Sequence, residues 1–394
     1  MSTPLPTAKP EEVGLSQVAL DRLSTALNDR IASGHIPGAV ALVARHGKVA
    51  YHQSFGRLDP ARDTPMATDA IFRIYSMTKA IVSVAVMMLW EEGRILLSDP
   101  ISKYLPAFAN TQVGVVSGDS YTLAATKNPI TIQDLLRHTS GLTYEFRGET
   151  PVHKAYAEAR IARLKQTNAD QVDELGGLPL LHQPGTKWEY SRSTDVLGRL
   201  VEVISGQTLG TFLSERILTP LGMTDSGFAV PEADQSRIAE PFAKDPENGT
   251  DVALLDIRRP AMFESGGGGM VATTMDYARF LGMLLGNGRL GTTRLLGRKT
   301  VELMTSDHLG TISGSADLLP PGHGFGLGFA VRTQPGMAPF PGSVGNYYWS
   351  GAAGTSFWVD PAERLYAVLM IQAPIQREHY RLLFRDMVYA AVAD

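Results

Sequence analysis

The 394-residue chain contains no cysteine. Disulfides, thiolate zinc sites and cysteine nucleophiles are therefore excluded. Its nine histidines are scattered, without an H-E-x-x-H or comparable ligand spacing, so no metal site is indicated. Cationic excess is lacking too. The formal net charge is −4, and no Lys/Arg block stands alone, which argues against a polynucleotide partner. No apolar run reaches membrane-span length; that at 80–90 is about half of what a span requires. The opening MSTPLPTAKPEEVGLS has no basic stretch followed by an apolar one, so no signal peptide is expected and the cytoplasm is the simplest location. G-x-S-x-G surrounds none of the serines, which removes the α/β-hydrolase route to a serine nucleophile. Internal repeats and low-complexity tracts are also absent.

What is present is an ordinary globular composition, 44% hydrophobic and 19% charged. The length predicts two lobes, or one large body with an inserted layer. Residues 16–33 place apolar side chains at 18, 20, 23, 27 and 31, a helical stripe. GAVALVA and KVAYHQSFG follow as strands joined by the turn Arg45-His46-Gly47. The C-terminal end mirrors this: TSFWVD and LYAVLMIQ flank Pro361-Ala362-Glu363, and REHYRLLFRDMVYAAVA closes as an amphipathic helix. Two hairpins, each beside a terminal helix, predict one antiparallel sheet assembled from both termini. Helical patterns run through 76–92, 131–137, 152–165, 194–205 and 273–285. The expected division is a sheet body from 1–95 and 270–394, with a mainly helical inserted domain over 96–269 covering the active site.

Within IYSMTKAIVSVAVMMLW, at 74–90, Lys79 is an amine in a run apolar on nearly every face. Such a helix is buried all round, and Gly93 gives it a stop. An isolated buried ammonium is very costly, so Lys79 either snorkels or is held by partners. Ser76 lies one turn earlier on the same face, where the first N–H groups of a helix lack intrahelical acceptors. That is the outline of an activated nucleophile. The amine accepts the hydroxyl proton if burial lowers its pKa, or favours an alkoxide electrostatically if it does not. The local alternative is an N-cap serine and a snorkelling lysine, because S-x-x-K arises by chance about once in a chain this long.

Two further stretches bear on the choice. WEYSRSTDVLGRLVEVISG places Tyr190 in the loop entering a helix that begins near Ser193 or Thr194, a position from which a phenol reaches a cleft. Alone, Tyr190 reads equally as a packing residue. NYYWSGAAGTSFWVDP leads a segment of small residues into a strand, allowing close approach of backbone and ligand, or simply a bulge.

In order and spacing, several stretches resemble the serine hydrolases of the β-lactamase and penicillin-binding protein superfamily. They are FRIYSMTKAIV, TIQDLLRHTSGL, WEYS after its Pro-Gly, TPLGMTDSGF, SGGGGMVATTMDYARF, HGFGLGF and WSGAAGTSFWVDP. The pattern is most similar to the class C β-lactamase-like carboxylesterases, the family VIII branch. The resemblance implies an α+β fold (an α/β sandwich) of the β-lactamase/DD-peptidase type: an antiparallel sheet flanked by helices with an inserted, mainly helical domain. It implies Ser76 as acyl-accepting nucleophile, Lys79 as its proton partner and Tyr190 sharing base and acid work. The N–H groups of Ser76 and Ala352 would form the oxyanion hole, and Trp349, Ser350 and Gly351 would line the third motif.

The departures bear on substrate class. The lactamases begin that third motif with a lysine; here it begins with Trp349. The asparagine of their Y-x-N motif is replaced by Arg192, which would attract an anionic group or face solvent. A tryptophan wall suits an uncharged, hydrophobic ester. The expectation is hydrolysis of short-chain carboxylic esters through an acyl-enzyme, without a cofactor. A small-molecule ester is the partner, with no nucleic acid, no membrane, and homo-oligomerisation left open. The same site also fits a β-lactamase, a D-peptidase or amidase, or an acyltransferase, and a silent binding protein of the same fold is the remaining alternative. The segment 140–186, with Tyr144, Phe146, Arg147 and HKAYAEARIARLKQ, is expected to roof the cleft and set specificity, although Tyr144 and Phe146 also read as packing residues. Ser265 and Ser350 read as structural or site-lining.

Overall fold

A computed structural model describes residues 4–161, 165–314 and 317–394. Eight strands form the main sheet: β1 (Gly38–Arg45), β2 (Lys48–Asp59), β3 (Thr64–Pro65), β4 (His323–Phe325), β5 (Ala330–Arg332), β6 (Tyr347–Ser350), β7 (Ser356–Asp360) and β8 (Leu365–Ile371). Their order is β4-β5-β6-β7-β8-β1-β2-β3, antiparallel throughout. The seam where the two ends of the chain meet is β1 against β8, from Ala39 opposite Ile371 to Arg45 opposite Leu365. The expected sheet from both termini is thus observed, and the fold is α+β with helices flanking an antiparallel sheet.

β1 and β8 are buried along their whole lengths, which explains why neither shows polar alternation in sequence. Ala39, Ala41 and Val43 pack on the N-terminal helix Gln17–Ala32 and the C-terminal helix Arg377–Tyr389. Val40, Leu42 and Ala44 face the larger core on the other side, which holds the central helix Thr78–Glu91. Every residue of that helix from Thr78 to Leu89 is buried, and it ends before Gly93, whose φ of 71° a side chain would strain.

Among its described residues the segment 96–269 contributes no strand to the main sheet. It carries the helices Ile132–Leu136, Pro151–Ala159, Asn168–Gly176 and Ser193–Ser205, together with a hairpin of Gln112–Ser117 and Ser120–Ala125. Helical periodicity had not disclosed that hairpin. The helical pattern expected over 152–165 is observed as Pro151–Ala159, and its residues 162–164 lie outside those described. A short antiparallel pair, Ile71–Arg73 with Val271–Thr273, draws the glycine-rich loop 265–269 alongside the turn that carries Ser76. Among the described residues no helix is long and apolar enough to cross a membrane.

Candidate active site

Strand Ile71–Arg73 runs into a 3₁₀ turn, Tyr75–Met77, placed directly before the central helix. Tyr75 has φ 43°, a left-handed conformation that costs a side-chain-bearing residue about 1–3 kcal/mol. The surroundings hold it there. The Leu255 N–H donates to the Tyr75 hydroxyl at 2.8 Å, and the Tyr277 hydroxyl donates to the Met77 carbonyl at 3.0 Å. The Ile74 carbonyl receives the Met77 N–H at 3.1 Å and the Thr355 hydroxyl at 3.3 Å. Ser76 emerges from this clamped turn half-buried.

Lys79 is 1% exposed, so its ammonium does not snorkel to solvent. Nζ lies 3.5 Å from Ser76 Oγ, 3.0 Å from Tyr144 Oη and 2.6 Å from the Gly267 carbonyl oxygen. It also sits over the Tyr190 ring, 4.6 Å from its centre. Burial pulls the ammonium's pKa down, but the Tyr144 and Tyr190 phenols facing it outweigh burial and hold it above its ordinary value. Of the two roles open to a buried amine, this environment favours the charged one. Tyr144 shifts upward because it is buried, with Lys79 opposing, so the phenol at Lys79 stays neutral.

Gly267 reaches the amine because Asp195, in the first turn of helix Ser193–Ser205, grips the loop. Its Oδ1 accepts from the Gly267 N–H at 2.8 Å and from the Ser265 hydroxyl at 2.6 Å. A Cβ on Gly267 would stand 2.8 Å from Asp195 Oδ2 and 3.0 Å from Tyr144 Oη, so only glycine permits the approach. Ser265 is accordingly a structural serine.

On the sheet side, the Trp349 indole N–H donates to Tyr190 Oη at 3.2 Å. Ser350 is half-buried at the end of β6, opposite Ser356. Gly351 is pressed so closely on the Ser76 turn that an added Cβ would lie 2.3 Å from the Ile74 carbonyl oxygen. The next residues form a tight turn closed by the Gly354 N–H on the Gly351 carbonyl at 3.0 Å, with Ala352 exposed at its corner. Phe146 is 69% exposed and stacks on Tyr144, ring centres 4.8 Å apart. Among the described residues no group of three or more metal-ligating side chains is assembled.

A serine, a buried lysine one turn on, two tyrosines around the amine and a sheet strand beside them match a known family. The Beta-lactamase family model fits residues 21–387. The chain belongs to the Beta-lactamase family. Protein Rv1367c of Mycobacterium tuberculosis is 35% identical over 90% of this chain and 90% of its own. Esterase EstB of Burkholderia gladioli is 31% identical over 94% and 95%. Among solved structures, EstCE1, a hydrolase with promiscuous acyltransferase activity, superposes with TM-score 0.81 at 28% identity, covering 95% of this chain and 99% of that one. Simvastatin synthase (LovD) of Aspergillus terreus, at 24% identity, shares the fold with TM-score 0.77 over 94% and 98%. The protein is a serine hydrolase of the β-lactamase fold.

Within this Beta-lactamase family member, two sequence expectations shift. Arg192 neither faces solvent nor offers a free cation: its Nη2 contacts both Glu145 carboxylate oxygens, at 2.7 and 2.8 Å, and its guanidinium covers the Tyr144 ring 5.0 Å from the centre. Arg192 is buried, while its partner Glu145 is half-buried. Tyr144, expected in the roof, is instead the phenol hydrogen-bonded to Lys79.

Sequence reasoning also passed over His138. It has φ 58°, is buried, and sits 5.0 Å from the Tyr190 ring centre with Nδ1 3.3 Å from Ser191 Oγ. Burial, assisted by Lys79, drives its pKa far below the usual imidazole value, so it packs as a neutral ring. Its only signal was its place in RHTSGL.

Proposed function

We propose that the protein is a carboxylesterase that hydrolyses short-chain esters through an acyl-enzyme on Ser76. The observation that carries this reading is the buried Lys79 ammonium, 3.5 Å from the Ser76 hydroxyl, beside strand β6, which meets Tyr190 with an uncharged indole. The Lys79–Tyr190 pair acts as one base. The pair holds one proton between the Lys79 amine and the Tyr190 oxygen; it takes the Ser76 proton as Oγ attacks and is then fully protonated. The Trp349 N–H donates to the Tyr190 oxygen at 3.2 Å and holds it in place. Ser76 Oγ attacks the acyl carbon, and the N–H groups of Ser76 and Ala352 receive the oxyanion; such a donor is worth roughly 3 kcal/mol. Tyr190 returns the proton to the departing alkoxide, so the alcohol leaves neutral. Water then repeats the sequence on the acyl-enzyme, giving the acid and restoring the Ser76 hydroxyl.

An uncharged substrate fits the wall. Trp349 offers no cation for a carboxylate, Arg192 is committed to Glu145, and Phe146 with Tyr144 presents an aromatic face. The names of EstB and EstCE1 support ester chemistry. A small-molecule ester met in the cytoplasm, without nucleic acid or membrane, is the partner this reading requires.

Parallel turnover of p-nitrophenyl butyrate, nitrocefin and D-amino-acid amides tests it. Butyrate hydrolysis should dominate, and nitrocefin or amide turnover above that of simple esters would overturn the assignment. Fluorophosphonate labelling should be lost in Ser76→Ala; a wild-type protein that resisted the probe would return the chain to the binding-protein alternative.

A further inference from the structure

Resting on the reading of Ala352 as an oxyanion donor, we propose that Arg381 is a positioning residue that fixes the direction and strength of the Ala352 N–H. Arg381 lies on the C-terminal helix Arg377–Tyr389, 30 positions beyond Gly351. Its Nη2 donates to the Gly351 carbonyl, and its Nη1 pairs with Glu378. The Gly351 carbonyl and the Ala352 N–H belong to one peptide plane. In a trans peptide these two groups point in opposite directions, and no peptide bond among the described residues is cis. A donor that grips the carbonyl from the helix side therefore turns the N–H toward the Ser76 side.

The peptide is sandwiched. Gly351 touches the Ile74 carbonyl on the inner face, where a Cβ would stand 2.3 Å away, and the Arg381 fork takes the outer face. The Gly354 N–H, 3.0 Å from the same carbonyl, closes the turn without bringing charge to it. A cationic donor does more, because it polarises the amide and makes the N–H at the other end a stronger donor.

Stability alone does not account for this arginine. Its Nε is sheltered from water with no hydrogen-bond partner among the described residues. Burial lowers the guanidinium to about 10, opposed by Glu378. An incompletely satisfied buried charge costs folding free energy. The arrangement makes sense where the carbonyl it holds belongs to the reacting machinery.

The test uses Arg381→Met, Arg381→Gln and Arg381→Lys, alone and combined with Ala352→Pro. Proline is favoured at the second position of such a turn and deletes only the N–H from the backbone. In the single variants, kcat for p-nitrophenyl butyrate should fall roughly tenfold for Met, less for Gln and least for Lys, a scale set by one carbonyl hydrogen bond. KM should stay within about twofold, since the contact acts on the oxyanion rather than the ground state. Affinity for a trifluoromethyl ketone, which builds the oxyanion on Ser76, should fall in step with kcat. In the Ala352→Pro background, Arg381→Met should add no further loss.

An undiminished loss in that background, or unchanged kcat in Arg381→Met, would overturn the proposal. So would a displaced pH limb with an unchanged plateau, which would assign Arg381 to Tyr190 instead. If Ala352→Pro itself keeps full turnover, the oxyanion-hole reading fails; if it loses turnover while Arg381→Met does not, only the role of Arg381 fails.

Discussion

The indole nitrogen of Trp349 donates a hydrogen bond to the phenol oxygen of Tyr190 across 3.2 Å. The two residues are 159 positions apart, and β6 brings the indole to the loop before helix Ser193–Ser205. On the sheet side the phenol is thus met by a dipole rather than a cation. Trp349→Phe keeps the ring and removes the donor. It should lower kcat about tenfold, the scale of one hydrogen bond, with little change in KM or melting temperature. Steady-state kinetics and a thermal melt check this together, and an unchanged kcat would leave Trp349 as wall only.

The two tyrosines at Lys79 should separate under mutation. Tyr190→Phe and Lys79→Met remove members of the proposed base and should cost about 10³–10⁴-fold in kcat. Tyr144→Phe removes a holder of the ammonium, the 3.0 Å contact to Nζ, and should cost only about tenfold. If the larger loss fell on Tyr144, it would be the proton acceptor and Tyr190 the holder.

Gly351→Ala should damage both fold and activity. The new methyl would meet the Ile74 carbonyl at 2.3 Å and the Thr355 hydroxyl at 2.2 Å, and the carbonyl is backbone that cannot rotate away. Overpacking of this kind costs roughly 1–3 kcal/mol. Urea unfolding should show the loss. Activity should fall further than stability implies, because the turn carrying Ala352 is pushed off Ser76.

Asp276 predicts a pH effect on stability at a distance from the site. Burial raises its carboxyl to about 6, against hydrogen bonds from Ser226 and the Asp225 N–H. The folded state therefore binds this proton more tightly than the unfolded chain, whose carboxyl titrates near pH 4. Its contribution is fully present below about pH 4 and is lost as pH rises through about 6. Asp276→Asn should flatten the stability profile between pH 4 and 7 by chemical denaturation. An unchanged slope would mean that the carboxyl ionises freely in the fold.

Much of this protein is legible in its residue order. The terminal hairpins, the flanking helices and the all-apolar central helix follow from local periodicity, because a strand or helix records in sequence which faces it buries. Ser76 and Lys79 are three residues apart, in the 3₁₀ turn and in the first turn of the helix that follows it, so their proximity needs no long-range information. The hairpin Gln112–Ser117/Ser120–Ala125 escaped because it is largely exposed and alternates no buried face, and the strands β4 and β5 because three residues set no period.

Chain order by itself settled which groups exist and which of them share a face: Ser76 with Lys79, and small residues after Trp349. Tertiary structure alone decided who touches the ammonium. Pairing of Ile71–Arg73 with Val271–Thr273 delivers Gly267 to it, Asp195 fixes that loop, and Tyr144 comes in from the segment after helix Ile132–Leu136. The committed state of Arg192 and the grip of Arg381 on Gly351 likewise arise between elements distant along the chain. The reason is physical: helix and strand periodicity is a property of neighbours, whereas the charge state of a buried amine depends on every group that packing places around it.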